Sequence, residues 1–170
     1  MKWLGVLILI STSTWIGFEW SKKINQRPAH IRQLKNALQI LEAEMLYSQL
    51  PLQSAFNLIA KRIAEPAKLF FQQLSEAMKH EVYDFTKMWE EQLRDYLQNS
   101  SLGANESEIL QQFGRTLGQH DFMQQQKQIR LAIAHLDQEL ESARDFQLRY
   151  GSMSKVLGFL IGLFFTILLI

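Results

Sequence analysis

The sequence predicts an all-α protein, a six-helix antiparallel bundle flanked by two transmembrane helices. Both ends of the 170-residue chain are uncharged apolar runs. Between them, apolar residues recur three and four positions apart, the spacing of one helix face. Pro51 and Pro66 interrupt this pattern where helices should end, because the residue before proline avoids helical geometry. We therefore expect a first span at 1–20, a cytoplasmic bundle at 21–154 and a second span at 155–170.

The carboxyl-terminal run is the stronger membrane signal. Residues 156–170 read VLGFLIGLFFTILLI, without a charge, and the stem of Lys155 can lengthen the span while its ammonium reaches the headgroups. Gly158 and Gly162 form a GxxxG pair, which lets two membrane helices approach closely. Glycine is also common in spans that pack against nothing, so both interpretations stay open for this pair.

The amino-terminal run, residues 3–18, is also uncharged, and Trp3, Trp15 and Trp20 resemble the aromatic anchors of a membrane interface. A cleaved signal peptide is the alternative, although no small-x-small cleavage site follows the run. Lys2 is the only basic residue outside the central region. The basic residues on their inner sides are Lys22, Lys23, Arg27, Arg144, Arg149 and Lys155. The positive-inside rule therefore places the central domain in the cytoplasm and both termini across the membrane.

The middle of the chain divides into six predicted helices. The first should open at Pro28, and the next three should run over about 51–64, 66–79 and 81–98. Asn105 is the expected N-cap of the fifth helix, with Glu108 as its capping-box partner, and Asp121 can cap a long sixth helix. The residues expected to face the core include Ile31, Leu34, Leu38, Leu41, Met45, Phe56, Ile59, Leu69, Phe70, Leu74, Trp89, Leu110, Phe113, Ile129, Leu136 and Leu140.

Composition and motifs argue against an enzyme and against a nucleic-acid binder. The net charge of +1 lacks the basic excess of nucleic-acid-binding proteins, and the chain has no cysteine for a thiolate site. His80-Glu81 resembles part of a zinc-protease helix, but the second histidine would fall at position 84, which is Asp84. We therefore predict no catalytic residue, no metal and no cofactor.

The other histidines have simpler explanations. His120 and Asp121 could form an acid–base pair, but a loop histidine beside a helix cap is the simpler interpretation. His135 and Glu139 lie one turn apart, which on a polar helix face predicts an exposed pair. A metal-dependent hydrolase that uses His80, Glu81 or His135 is kept as an alternative class.

The segment 113–121, FGRTLGQHD, is unusual because two glycines lie four residues apart in or near a short helix. Glycine within a helix costs about 1 kcal/mol relative to alanine, so close helix packing or a left-handed cap should offset it. A structural corner is one interpretation. The other is a corner that presents Arg115, Gln119 and Asp121 to a partner. The candidate interaction residues are Gly114, Arg115, Gly118, Gln119 and Asp121.

This segment, the following QQKQI, the opening RPAHIRQLKNALQILEAEM and the terminal run together resemble the stage III sporulation protein AB family of endospore-forming bacteria. The resemblance covers essentially the whole chain. More distantly, the bundle is similar to the cytoplasmic domains of the type II secretion platform protein, the F component. In the platform-protein family, the segment that corresponds to 113–121 typically has the sequence GExSGxL. Arg115 occupies the position of the acidic residue in that motif.

The resemblance implies a membrane scaffold in the secretion-like channel complex between mother cell and forespore. It implies docking to a cytoplasmic hexameric ATPase of the same operon and to other membrane proteins of the channel, in the outer forespore membrane. We expect lipid contact and no nucleic acid, and homo-oligomerisation stays open. The platform analogy further implies that movement passes through the bundle to the spans. A membrane-tethered adaptor with no force-transmitting role is the alternative.

Overall fold

The computed structural model describes residues 2–48, 50–79, 84–117, 122–150 and 160. Within these ranges the chain forms six α-helices, one short π-helix and no strand, so the predicted all-α class is confirmed. The elements are α1 (Lys2–Ala43), the π-helix (Glu44–Ser48), α2 (Leu52–Arg62), α3 (Ala67–Ala77), α4 (Phe85–Gln98), α5 (Ala104–Thr116) and α6 (Phe122–Tyr150).

The chain divides into two compact units. The terminal unit comprises Met1–Pro28 and Ser142–Ile170, and the bundle unit comprises Ala29–Glu141. Over the described ranges, no helix combines the length and the apolar character needed to cross a membrane. The predicted second span, with Gly158 and Gly162, lies outside the described residues apart from Leu160. The two spans therefore stay predictions.

The expected helix start at Pro28 is wrong, because α1 already begins at Lys2 and continues through the proline. Proline inside a helix loses one backbone hydrogen bond and crowds the preceding turn. Pro28 is buried, however, so its ring contributes packing that helps to offset this cost. The strong helix formers on both sides of it also favour a continuous helix.

The bundle unit buries the apolar stripe predicted for α1, since Ile31, Leu34, Leu38 and Leu41 are all fully buried. In this unit α1 runs antiparallel to α6. Lys35 forms an ion pair with Asp137 at 2.5 Å, and Glu42 forms one with Arg130 at 2.5 Å. From the first ion pair to the second, the position in α1 advances by seven residues and the position in α6 goes back by seven, as expected for antiparallel helices.

Helices α2 to α5 pack on one another in chain order. Helix α3 turns a different face inward than expected, because Ala67, Phe70, Phe71 and Leu74 are buried whereas Leu69 is 47% exposed. The buried set follows the i, i+3, i+4, i+7 pattern, which leaves Leu69 on the opposite side of the helix. The expectation that Leu69 is a core residue is therefore wrong.

Helix α4 begins at Phe85, later than the predicted start near Glu81. The carboxylate of Asp84 accepts hydrogen bonds from the backbone N–H groups of Thr86 (3.1 Å) and Lys87 (3.3 Å). These two donors have no partner within the helix, so an N-cap aspartate defines the helix start. Position 84, where a zinc-protease helix would carry its second histidine, is thus a helix cap.

Trp89 of α4 lies at the centre of an aromatic cluster. Its side chain is 1% exposed. Its ring contacts Phe70 at a centroid distance of 5.2 Å and Phe113 at 5.6 Å, both edge to face. Longer contacts reach Phe85 at 6.0 Å and Phe56 at 6.3 Å. Such pairs add about 0.5–1.5 kcal/mol each beyond the burial of their surface. The cluster therefore ties α2, α3 and α5 to α4.

Gly114 of α5 is buried against the indole of Trp89. A Cβ atom built at Gly114 would overlap the ring at Cδ1, Nε1 and Cγ. One turn earlier, the carbonyl oxygen of Leu110 accepts a hydrogen bond from the indole N–H at 2.9 Å. The missing side chain thus lets a large ring reach the helix backbone. Close helix packing, one of the two explanations offered for this glycine, accounts for it.

We predict that Gly114→Ala destabilises the protein, although alanine is the better helix former. Overlap with the indole should outweigh the propensity gain of about 1 kcal/mol and lower the free energy of unfolding by about 1–3 kcal/mol. Chemical denaturation of the full chain in mild detergent measures this. Gln112→Ala, at an exposed position of the same helix, is the matched control and should leave stability nearly unchanged. Unchanged or increased stability of Gly114→Ala would contradict the packing argument.

Candidate docking surface on α4 and α5

Helix α5 is fixed at its amino end by Glu106, whose side chain is fully buried. The carboxylate accepts a hydrogen bond from the backbone N–H of Gly103 at 2.7 Å, and Gly103 is the N-cap residue. The predicted capping box of Asn105 and Glu108 is therefore wrong. Both pairs have the same three-residue spacing. The capping pair in the structure is Gly103 and Glu106, because the Glu106 carboxylate is the one that faces the core. The side-chain amide of Asn105 instead donates a hydrogen bond to Glu139 of α6 at 2.9 Å.

The loop before α5 is held to α1 by His30. The Nδ1 atom of His30 accepts a hydrogen bond from the backbone N–H of Ser101 at 2.9 Å. Burial lowers the pKa of His30 below its ordinary value of 6.5, because desolvation disfavours the imidazolium. A neutral ring leaves Nδ1 free to accept this bond. His30 thus helps to position the start of α5.

A shallow groove of about 210 Å³ lies between α4 and α5. Its base includes Leu93, which is buried, and its rim carries polar side chains from both helices. The lining residues are Glu90, Leu93, Arg94, Leu97, Gln111 and Arg115. We call this the α4–α5 groove. Of the predicted interaction residues, Arg115 lies on it, whereas Gly114 is buried and does not reach the surface.

The charges of the α4–α5 groove favour an acidic partner. Two guanidinium groups, Arg94 and Arg115, face one carboxylate, Glu90. Arg115 Nη2 lies 3.4 Å from Glu90 Oε1, and the two side chains are 64% and 41% exposed. An exposed pair of this kind contributes about 0–1 kcal/mol, so Arg115 can exchange Glu90 for a carboxylate of a partner at little cost. Arg94 forms no ion pair with the residues described here.

Several predicted site residues cannot be placed. Gly118, Gln119, His120 and Asp121 lie outside the described residues, as do His80 and Glu81. The grouping of Arg115 with Gln119 and Asp121 therefore stays a prediction.

The remaining histidine candidate is not paired as expected. His135 is exposed, and Glu139 one turn later accepts the hydrogen bond from Asn105. Across the described ranges, no three or more histidine and carboxylate side chains come together in a way that could hold a metal ion.

Sequence reasoning missed a second and larger groove, of about 590 Å³, where the end of α1 meets the end of α2. Arg62 and Glu44 form an ion pair across it at 3.6 Å. Gln33 on its wall donates a hydrogen bond to the carbonyl oxygen of Glu65 at 3.2 Å. Its lining comes from two separate stretches, residues 33–44 and 62–64, and no local motif marks them.

The fold and the groove define an all-helical bundle with a polar groove on its surface. The family model described as stage III sporulation protein AB matches residues 2–170. The stage III sporulation protein AB of Bacillus subtilis (strain 168) is 41% identical over 169 residues, which cover 99% of each chain. A solved structure of stage III sporulation protein AB has a TM-score of 0.68 and 40% identity, covering 73% of this chain and 98% of its own. The chain belongs to the stage III sporulation protein AB family.

A paired substitution tests which glutamate caps α5. Glu106→Ala removes the acceptor for the Gly103 N–H from a buried position, so we expect a loss of about 1–3 kcal/mol in the free energy of unfolding. Glu108→Ala removes an exposed carboxylate two residues further along α5 and should change the free energy of unfolding by less than about 0.5 kcal/mol. Thermal unfolding followed by circular dichroism compares the two. Equal losses, or a larger loss at Glu108, would contradict the assignment.

Proposed function

We propose that this sporulation protein is a non-enzymatic membrane platform. In this proposal, the terminal unit moors the chain in the bilayer, and the bundle unit docks partner proteins of the channel between mother cell and forespore. The bundle unit lies in the cytoplasm and the mooring is in the outer forespore membrane. The partners include the cytoplasmic hexameric ATPase implied by the family resemblance, together with other membrane proteins of the complex.

The distribution of exposed apolar side chains supports the proposed attachment of the terminal unit to the membrane. Seven of the twelve large apolar side chains that are exposed in the described residues belong to the terminal unit. They are Trp15, Phe18, Trp20, Phe146, Leu148, Tyr150 and Leu160. Leu148 is 82% and Trp15 is 74% exposed. A group of exposed large apolar residues marks a partner or membrane surface, and tryptophan and tyrosine favour the membrane interface. This supports lipid as the environment of the terminal unit.

The observation that favours docking is the α4–α5 groove. An apolar base with an arginine-rich rim suits a partner helix that carries aliphatic and acidic residues. The adaptor alternative needs the same groove but no movement of the chain. The length of α6, 29 residues without an internal proline, favours the platform, because an uninterrupted helix is stiff along its axis.

Crosslinking tests the docking surface. A photo-crosslinking residue at Gln111 of the full chain, in sporulating cells, should capture the ATPase of the same operon or a membrane protein of the complex. Arg115→Glu reverses one charge on the rim, so we expect it to reduce the yield of this product by about tenfold, as loss of a charge-assisted contact does. Lys68→Glu, an equal charge reversal at an exposed site on α3, is the control and should leave the yield intact.

Two outcomes would contradict this docking surface. One is capture of neither partner class from Gln111 while the protein is present at its normal level. The other is an equal reduction of the yield by Lys68→Glu, because the groove would then have no special role.

A further inference from the structure

The two units differ sharply in charge, although the whole chain is nearly neutral. The terminal unit contains seven Lys and Arg residues against two Asp and Glu residues, a net charge of +5. The bundle unit contains eleven Lys and Arg residues against fifteen Asp and Glu residues, a net charge of −4. The basic excess therefore belongs to the unit that also carries most of the exposed aromatic side chains.

Basic residues of both helices of the terminal unit flank one contact between these helices. The side-chain amide of Gln147 in α6 donates to the carbonyl oxygen and to the Oδ1 atom of Asn25 in α1, at 3.3 Å each. Lys23 precedes Asn25 by two residues, and Arg149 follows Gln147 by two, which is about 3 Å along each helix axis. The contact therefore sets Lys23 and Arg149 at a similar level along the two helices, although residues two positions apart lie on nearly opposite faces of a helix.

Four of these cations are exposed, and we call them the basic collar: Lys22, Lys23, Arg144 and Arg149. None of the four forms an ion pair with another described residue. The two carboxylates of the unit, Glu19 and Asp145, are also exposed and offset only part of the charge.

Aromatic rings accompany the basic collar. Trp20 is 68% exposed, and Phe146 and Tyr150, each 47% exposed, contact one another with ring centroids 4.7 Å apart. Tryptophan and tyrosine favour the headgroup level of a bilayer, and lysine and arginine beside them attract anionic lipids. A protein partner would also contact exposed aromatic rings. The combination of these rings with the four exposed cations of the basic collar is typical of a lipid surface.

We propose that the basic collar binds the headgroups of anionic glycerophospholipids and so selects the lipids around the protein. This inference rests on the proposed attachment to the membrane, and it adds a lipid preference that mooring alone does not require. The negative bundle unit is repelled by the same lipids, so the preference arises from the terminal unit alone.

Energy transfer from tryptophan measures the lipid preference. The full chain is reconstituted into phosphatidylcholine vesicles that contain dansyl-labelled phosphatidylglycerol or, at equal mole fraction, dansyl-labelled phosphatidylcholine. We expect an apparent enrichment of the anionic probe of about threefold at low salt, decreasing as salt screens the headgroup charge. Equal transfer to the two probes at low salt would overturn the proposal.

Two variants with the same change in charge locate the effect. The first replaces the basic collar with glutamine (K22Q, K23Q, R144Q and R149Q). The second replaces four exposed lysines of the bundle unit (K61Q, K68Q, K79Q and K87Q). The first should lose the preference, and the second should retain it. A comparable loss in both variants, or retention in the first, would overturn the assignment to the collar. The salt dependence of the unmodified chain tests the proposal without any substitution.

Alkaline carbonate extraction of the same vesicles separates this proposal from the membrane platform. A chain that resists extraction but shows no lipid preference refutes the collar and supports the mooring. A chain that prefers the anionic probe but is released by carbonate supports the collar and refutes mooring by spans. A chain that resists extraction and prefers the anionic probe supports both.

Discussion

The bundle depends on the contact between the indole of Trp89 and the backbone of α5 at Gly114. The ring occupies the space of the missing Cβ, and its N–H group donates to the carbonyl oxygen of Leu110. Aromatic residues of α2, α3 and α5 pack around the same ring. Any shift of α5 would break the hydrogen bond and open the cluster at the same time. The position of Arg115, the next residue after Gly114, is therefore set by the core.

This constraint explains why a small bundle can present a defined surface. Three features fix α5: the buried carboxylate of Glu106 at its amino end, the indole contact in its middle and the amide of Asn105 bound to α6. The groove beside it has a rigid wall and long, exposed arginine side chains on its rim. A rigid backbone with adaptable side chains suits docking, because little order has to be gained when a partner binds.

The division of charge and exposure between the two units gives the chain a second level of organisation. Apolar side chains in the bundle unit mostly face the core, whereas the terminal unit exposes aromatic residues beside cations. A protein surrounded only by water gains nothing from this arrangement, since exposed rings favour association. It is explained if lipid covers the terminal unit.

The sequence predicted what depends on local periodicity. The stripe from Ile31 to Leu41 and the core positions Leu110, Phe113 and Leu136 recur at helical spacing and are buried as expected. Errors arose where two local patterns competed. Leu69 and Phe71 both suit an apolar face, and only packing against α2 and α4 decides between them. Proline is common at helix starts, but Pro28 lies within α1, where packing of its buried ring helps to offset the lost backbone hydrogen bond.

The candidate site was harder to predict than the fold, because it combines residues from different helices. The glycine at position 114 was recognisable as unusual from its cost in a helix, but its partner Trp89 is 25 positions away and shares no motif with it. The pairing of Arg115 with Glu90 and the capping by Glu106 likewise depend on which side of each helix is buried. Such relations follow from packing, which spacing along one helix does not determine.

The orientation of the chain in the membrane tests the central claim most directly. The sequence has no cysteine, so single substitutions can be labelled without background. Lys2→Cys, Ile170→Cys and Gln72→Cys, the last at an exposed site on α3, are exposed to a membrane-impermeant maleimide in sealed right-side-out vesicles. The account predicts labelling at positions 2 and 170 at once and at position 72 only after permeabilisation. Immediate labelling at position 72, or protection of both ends, would contradict it.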